Sequence, residues 1–355
     1  MRANSVQTCV TSPPYWGLRD YGVRGQLGLE STVQEYVACV VEIFAEVYRV
    51  LKPDGTLWLN LGDSYATGGG KAKQPGGGYR AHDGDSKRPK WAGPYCQPNR
   101  MPQPGLKPKD LCMMPARVAL ALQDWGWYLR SDIIWHKTNP MPESVTDRPT
   151  KSHEYLFLLA KNATYYYDAD AIKEKCEADT HARYARGRGD VHKLRKSGNV
   201  ERKVGDGTEG RLNNHLGRNV PWEDDGTGRN KRTVWSIPGV NPKCAAPGSG
   251  IKQNSSFSAA VKDIVDFRNK RTVWTLSTKP FKGAHFATFP PKLVEPCILA
   301  GSRKGDLVLD PFAGAGTTGL VALEHKRRFL GIELNPEYVA MAEERLGLQR
   351  KTRAA

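Results

Sequence analysis

The sequence predicts an open α/β sheet of largely parallel strands carrying a basic insertion, and three observations predict it. Asp306-Leu307-Val308-Leu309-Asp310 reads as a buried parallel strand that runs into the small-residue turn Pro311-Phe312-Ala313-Gly314-Ala315-Gly316, and Thr317-Thr318 then open a helix. Ser5-Val6-Gln7-Thr8-Cys9-Val10-Thr11 is short, β-branched and stopped by Pro13-Pro14, so it reads as a second strand entering a rigid turn. With 355 residues there is room for one large core plus an insertion. Ligands of such sheets collect outside the carboxyl ends of the strands, so both turns are expected to face one crevice.

Composition narrows the function classes. A formal net charge of +16 is unusual for an enzyme of small metabolites and points to a polyanionic partner, nucleic acid above all. The cysteines, at positions 9, 39, 96, 112, 176, 244 and 297, contain no C-x-x-C pair, so neither a zinc site nor a disulfide framework is indicated and no metal is expected. That usage suits a reducing cytoplasm. No signal peptide is seen, and no apolar run approaches the roughly 20 residues of a membrane span.

In chain order, Ser31-Thr32-Val33-Gln34 suggests a capping box, and Val33, Val37, Val40, Val41 and Phe44 recur at helical spacing, so a helix should run to about Leu51 and stop at Lys52-Pro53-Asp54-Gly55. Thr56 to Leu61 reads as a buried strand ending at Gly62-Asp63-Ser64-Tyr65, where Asp63 either lines the crevice or caps the next turn. Residues 67–108 are rich in Gly, Pro, Lys and Arg and form a long basic loop, a candidate for ordering on a polyanion. A helix from Pro115 to Trp125 precedes a strand from Tyr128 to Lys137, which leads into Asn139-Pro140. His153 to Ala160 and Tyr165-Tyr166-Tyr167 are expected to pair antiparallel at the sheet edge.

From about Asp170 to Asn269 large aliphatics thin out and Arg, Lys, Gly and Asn dominate. Such a stretch is either a solvated face or a recognition region, since phosphate contacts come from Arg and Lys and base readout from Arg, Asn and Gln. Within it Arg229-Asn230-Lys231-Arg232-Thr233-Val234-Trp235 recurs identically at Arg268 to Trp274. Local duplication explains the identity, and the first copy is open between a structural twin, a contact with nucleic acid and a plain loop. Toward the end, Lys292 to Ala300 reads as a helix, Arg328 to Glu333 as a strand ending in an acid, and Asn335-Pro336 as the start of a last helix.

Taken as units, Thr11-Ser12-Pro13-Pro14-Tyr15-Trp16-Gly17 and Asp310-Pro311-Phe312-Ala313-Gly314-Ala315-Gly316-Thr317-Thr318 resemble the paired motifs of DNA amino-methyltransferases, which use S-adenosylmethionine to methylate the exocyclic nitrogen of cytosine or adenine. The catalytic motif precedes the cofactor motif, as in the permuted β group of that family. The resemblance implies a circularly permuted, Rossmann-like methyltransferase sheet: residues 1–169 as the catalytic half, 170–269 as an inserted target-recognition region, and 270–355 as the cofactor half. Ser12, Pro13, Pro14 and Tyr15 would form the amine site, in which the Ser12 hydroxyl and the Pro13 carbonyl accept from the amine and Tyr15 stacks on the base. Those bonds would strengthen as the nitrogen turns tetrahedral and positive, which is the differential stabilisation that catalysis requires. The cofactor would be held by Thr11, His285, Ala287, Phe289, Asp310, Phe312, Gly314, Gly316, Thr317, Thr318, Glu333 and Asn335. In that assignment Asp310 accepts from the ammonium, the helix amides at Thr317 hold the carboxylate and Glu333 binds the ribose.

Trp16, Trp135, Lys137 and Asn139 would border the pocket of a flipped base, although Trp135 also reads as core, Lys137 as a solvated strand end and His285 as a buried histidine. Pro296-Cys297 matches the nucleophile pair of carbon-5 cytosine enzymes, yet its place in a helix reads as core. A neutral Ser12 after Thr11 leans toward cytosine N4 over adenine N6. The implied partner is double-stranded DNA in the cytoplasm, at the nucleoid, with a homodimer and a companion restriction endonuclease as further expectations. The other class in view is a DNA-binding protein of this fold without turnover, because many relatives carry a Gly-Asp strand upstream of S-P-P-Y and only eleven residues precede Ser12 here. Either the reading frame extends upstream or the adenine is held less completely.

Overall fold

The computed structural model describes residues 1–66, 105–140, 143, 145–175, 267–278 and 289–348. Its centre is a seven-stranded sheet in the order β7-β3-β4-β2-β1-β8-β9, in which β1 is Val6–Thr11, β2 Leu51–Leu61, β3 Tyr128–Lys137, β4 His153–Ala160, β7 Val273–Leu276, β8 Leu307–Asp310 and β9 Arg328–Gly331. β1 pairs in parallel with β2 on one side and with β8 on the other, and β8 pairs in parallel with β9. β4 is antiparallel to both β2 and β3, and is the reversed strand of the sheet. Every residue of β1 is buried, as expected of a strand with neighbours on both edges and layers on both faces.

Alternation along β2 shows how the two cores are divided. Leu57, Leu59 and Leu61 join the core beneath α1 (Val33–Val50) and α2 (Met114–Trp125), whereas Trp58 joins the opposite core beneath α3 (Pro291–Gly301) and α4 (Thr317–Glu324). A last helix, α5 (Pro336–Arg345), follows β9. α1 buries Val33, Val40 and Phe44 of the stripe that the sequence spacing implied, together with Tyr36, Val47 and Val50, while Val37 and Val41 are half-buried beside it.

Two expectations are corrected, and one of the two readings of Asp63 is decided. The capping box lies one residue later: the Thr32 hydroxyl accepts from the Glu35 amide at 3.1 Å, and the Glu35 carboxylate accepts from the Thr32 amide at 3.2 Å. Tyr165-Tyr166-Tyr167 form no strand. β4 lies inside the sheet, and Tyr165 and Tyr166 instead lie beneath the guanidinium groups of Arg130 and Arg303. Asp63 is a cap, its carboxylate accepting from the amides of Ser64 and of Met114 at the start of α2. Cys297 is fully buried in the second core, as its helical position suggested.

The second copy of the repeat runs from Arg268 into β7. Its Arg268 pairs across a short ladder with Glu174, joining β5 (Glu174–Lys175) to β6 (Phe267–Arg268). Lys270 reaches Glu174 at 3.0 Å, and its ammonium lies 4.9 Å from the centre of the buried Trp274 ring. The first copy, most of the basic loop and most of the 170–269 region lie outside the described residues. Among the described residues no helix is long and apolar enough to cross a membrane.

Candidate active site

Because β1 and β8 are neighbours, the two turns separated by some three hundred residues are adjacent in space, and the contact is direct. The Thr11 hydroxyl donates to the Asp310 carboxylate at 2.6 Å. The Thr318 hydroxyl donates to its other oxygen at 2.7 Å, and the Phe312 amide donates at 3.0 Å. Burial raises the Asp310 carboxyl to about 6 against these three donors. Asp310, Thr11 and Thr318 are each almost wholly buried. Together they form a knot that ties the two strand tips to each other and sets the shape of the turn above it.

Above the knot opens a cavity of about 590 Å³, and Ser12, Pro14, Phe312, Gly314, Thr317, Glu333, Asn335 and Phe289 all line it. Glu333, just past β9, accepts from the Gly314 amide at 2.8 Å and from the Asn335 amide at 2.9 Å, so it bridges the glycine turn and the start of α5. Asn335 is the N-cap of α5, and its side-chain oxygen accepts from the Glu337 amide. Gly316 is set back from the cavity. It caps α4 in a left-handed conformation with φ 72°, and a Cβ there would stand 3.1 Å from that of Ala342. Arg345 donates to the Ala315 carbonyl and the Thr317 hydroxyl, both at 3.0 Å, which holds the far side of the turn. Tyr21 and Tyr338, in edge-to-face contact 6.4 Å between centres, also line the cavity, a contribution that no motif announced.

The amine side of the site is held from several directions. The Tyr36 hydroxyl of α1 donates to the Pro14 carbonyl at 2.8 Å, pinning the double-proline turn. The Ser12 hydroxyl lies 3.3 Å from that of Tyr15, and the Tyr15 hydroxyl donates to the Glu154 carboxylate at 2.8 Å. Asn60 Nδ2 sits among the three, 3.3 Å from the Ser12 hydroxyl, 2.5 Å from that of Tyr15 and 3.0 Å from the Glu154 carboxylate, with two hydrogens to share among them. Lys137 at the end of β3 donates to the other Glu154 oxygen at 2.5 Å. Burial alone would raise the Glu154 carboxyl, but Lys137, Asn60 and Tyr15 bring it below the usual carboxylate range.

Of the four residues expected around a flipped base, only Lys137 joins this cluster. Trp16 and Trp135 are buried in the two cores, with their indole N–H groups donating to the carbonyls of Glu30 and Leu276, so neither ring is free to stack on a base. Asn139 exchanges hydrogen bonds with the backbone of Thr278. His285 and Ala287 lie outside the described residues. Sequence reasoning missed Asn60 and Glu154. The signal was present in each case: Asn60 is the lone polar residue of the apolar run from Leu57 to Leu61, and Glu154 is an acid at the head of an apolar strand.

The comparisons with known proteins agree with this geometry. A DNA methylase family model, that of the N6 and N4 enzymes, matches residues 6–344. The chain belongs to that family. This methyltransferase is 42% identical over 344 residues to the type II methyltransferase M.Cfr9I of Citrobacter freundii, covering 97% of the chain and 82% of the relative. It is 41% identical over 338 residues to M.SmaI of Serratia marcescens, covering 95% and 82% respectively. Among solved structures the PvuII DNA methyltransferase (cytosine-N4-specific) superposes with a TM-score of 0.52 at 17% identity, covering 99% of this chain and 82% of that one, a likeness of fold.

The methyltransferase is an S-adenosylmethionine-dependent enzyme acting on DNA. Its cavity suits that cofactor chemically. Glu333 beside the glycine turn offers a carboxylate for ribose hydroxyls, the α4 N-terminus and Thr317 offer donors for a carboxylate, and Phe312, Ile332 and Leu334 offer apolar walls for a flat ring. Bound there, the cofactor supplies an electrophilic methyl group.

Proposed function

We propose that this methyltransferase modifies the exocyclic N4 of a cytosine flipped out of double-stranded DNA, as a type II modification enzyme. The observation that carries the reading is the single cavity shared by Ser12 and the Gly314 turn, which gives a cofactor methyl and an amine a common meeting place. Ser12 and the Pro13 carbonyl accept from the amine and orient its nitrogen. The rigid turn, anchored by Tyr36, keeps them in place, so positioning supplies much of the acceleration. Glu333, Thr317 and Phe289 hold the cofactor side.

Cytosine is favoured because Ser12 is neutral and follows Thr11. It is further supported by the name of the PvuII enzyme, which shares the fold, and by relatives that are type II methyltransferases. The permuted order, with the amine turn at the start of the chain and the cofactor turn near its end, belongs to the same reading. So does target recognition by residues 170–269, an insertion whose two flanks meet in the β5–β6 ladder. A cytoplasmic place at the nucleoid, a homodimer and a partner endonuclease complete the proposal.

The test is to methylate DNA with the purified protein and labelled cofactor, then digest it to nucleosides. N4-methylcytosine is expected. N6-methyladenine would move the assignment to the adenine enzymes, and tight DNA binding without any methyl transfer would make the protein a binding module. Ser12→Ala should lower the methylation rate on the order of 100-fold, in line with the loss of one preorganised contact to charge that develops in the transition state, while DNA affinity stays near that of the parent.

A further inference from the structure

We propose that Glu154 is the terminal acceptor of the proton that the target amine sheds on methylation, reached through Ser12 and Tyr15, with Lys137 keeping the carboxylate charged. The inference rests on the amine-methylation reading above. When the nitrogen forms its bond to the methyl carbon, the carbon–sulfur bond breaks with its electron pair left on sulfur, and the nitrogen becomes cationic. It regains neutrality by losing one proton, the N–H electron pair returning to nitrogen and the ring. That proton passes to the Ser12 oxygen, the Ser12 proton to the Tyr15 oxygen 3.3 Å away, and the Tyr15 proton to the Glu154 carboxylate 2.8 Å further on. Ser12 and Tyr15 end as neutral hydroxyls, and Glu154 ends as a carboxylic acid that returns its proton to solvent after product release.

The geometry is that of a relay already strung. Asn60 Nδ2 lies within hydrogen-bond reach of all three oxygens of the chain and has two hydrogens to share among them, while its own Oδ1 is buried without a partner among the described residues, so the orientation of the carboxamide is set by the relay alone. Burial first, and then Glu154, push the Tyr15 phenol well above its usual range, so it stays protonated at rest and gives up a proton only as it receives one. A strong base is not required. A protonated exocyclic amine is a strong acid because its lone pair has been taken out of conjugation, so the acceptor needs only to be ionised. Tyr15 on the turn after β1, Asn60 on β2 and Lys137 on β3 face Glu154. Lys151 lies just before β4, His153 is its first residue and Asp63 lies beyond them, and both basic residues feel the Glu154 charge. Tyr15 and Lys137 are therefore the contacts whose removal should show. Glu154 acts through other groups and is a positioning residue in that sense.

The experiment measures single-turnover methylation of the modified duplex across pH for the parent, Glu154→Gln, Lys137→Met and Lys137→Arg. Cofactor and DNA affinities are measured beside it, and the Glu154 carboxyl is titrated by carbon NMR in cofactor-free protein. The parent should lose rate only below the ordinary carboxylate range. Lys137→Met removes the strongest of the groups that oppose burial, leaving only Asn60 and Tyr15, so both the acid limb and the NMR titration should move upward, and Lys137→Arg should restore them. Glu154→Gln should slow turnover on the order of 100-fold and abolish the acid limb, with both affinities kept. An unchanged rate and limb in Glu154→Gln overturns the proposal. So does an acid limb or NMR titration that stays in place in Lys137→Met, a result that stands even if Glu154→Gln does not fold. A parent protein that methylates no DNA would instead sink the functional reading on which this inference rests.

Discussion

Asp310 accepts three hydrogen bonds and still titrates late, because its burial outweighs them. The sign of the effect on stability follows. A carboxyl raised from 3.8 to about 6 binds its proton more tightly in the folded chain than in the unfolded one. Its ionisation therefore costs stability above pH 6, and the cost fades as pH falls toward 4. Two units correspond to about 3 kcal/mol, an order of magnitude for a buried group. Asp310→Asn removes the charge and keeps the shape. Its urea stability relative to the parent is expected to be most favourable at pH 7 and to decline toward pH 4.5. A difference that does not vary with pH would show that the charge carries no such cost. A second residue-scale case concerns Tyr15, whose ring lies directly on Gly62. A Cβ at Gly62 would come within 2.4 Å of the ring. Gly62→Ala should displace Tyr15, cost about 1–3 kcal/mol by overpacking, and cut methylation at least about tenfold through the lost Tyr15–Glu154 bond. Chemical denaturation and turnover measured on one preparation check both.

At the scale of elements, what the sequence made legible follows the strength of each local signal. The α1 stripe was readable because Val33, Val40 and Phe44 repeat at helical spacing and are indeed its buried face. The cap was misplaced by one residue because Ser31 and Thr32 both offer a hydroxyl. Glu35, three residues after Thr32, is what decides between them. Thr32→Ala should therefore cost about 1 kcal/mol in equilibrium unfolding, and Ser31→Ala much less. β4 shows a different limit. Its apolar run Leu156 to Ala160 announces burial, but burial carries no information about direction, so the reversed strand was placed at an edge rather than between β2 and β3. The same limit hid Glu154. Only the antiparallel register, which sets Tyr155 opposite Leu61 and Leu156 opposite Asn60, brings the head of β4 to the carboxyl ends of β1 and β2.

For the whole molecule the two linear motifs were enough to bring their turns to one cavity, because adjacent parallel strands bring their carboxyl ends together whatever their distance along the chain. The charge of +16 has a separate consequence. DNA affinity should be carried largely by Lys and Arg neutralising phosphates with release of counterions, so it should fall about 10³-fold or more between 50 and 200 mM salt. The cofactor cavity is built differently: its Glu333 is tied to the amides of Gly314 and Asn335, and much of the rest of its wall is apolar. Interactions at hydrogen-bond range inside a cavity are screened far less than those across an open surface, so cofactor affinity should change by no more than about threefold over the same range. Steady-state kinetics at saturating cofactor separates the two effects. Salt should raise the KM for DNA steeply and leave kcat nearly constant. A parallel loss of kcat would mean that the fixed hydrogen bonds around Ser12 and Glu154 are themselves open to screening, which their burial argues against.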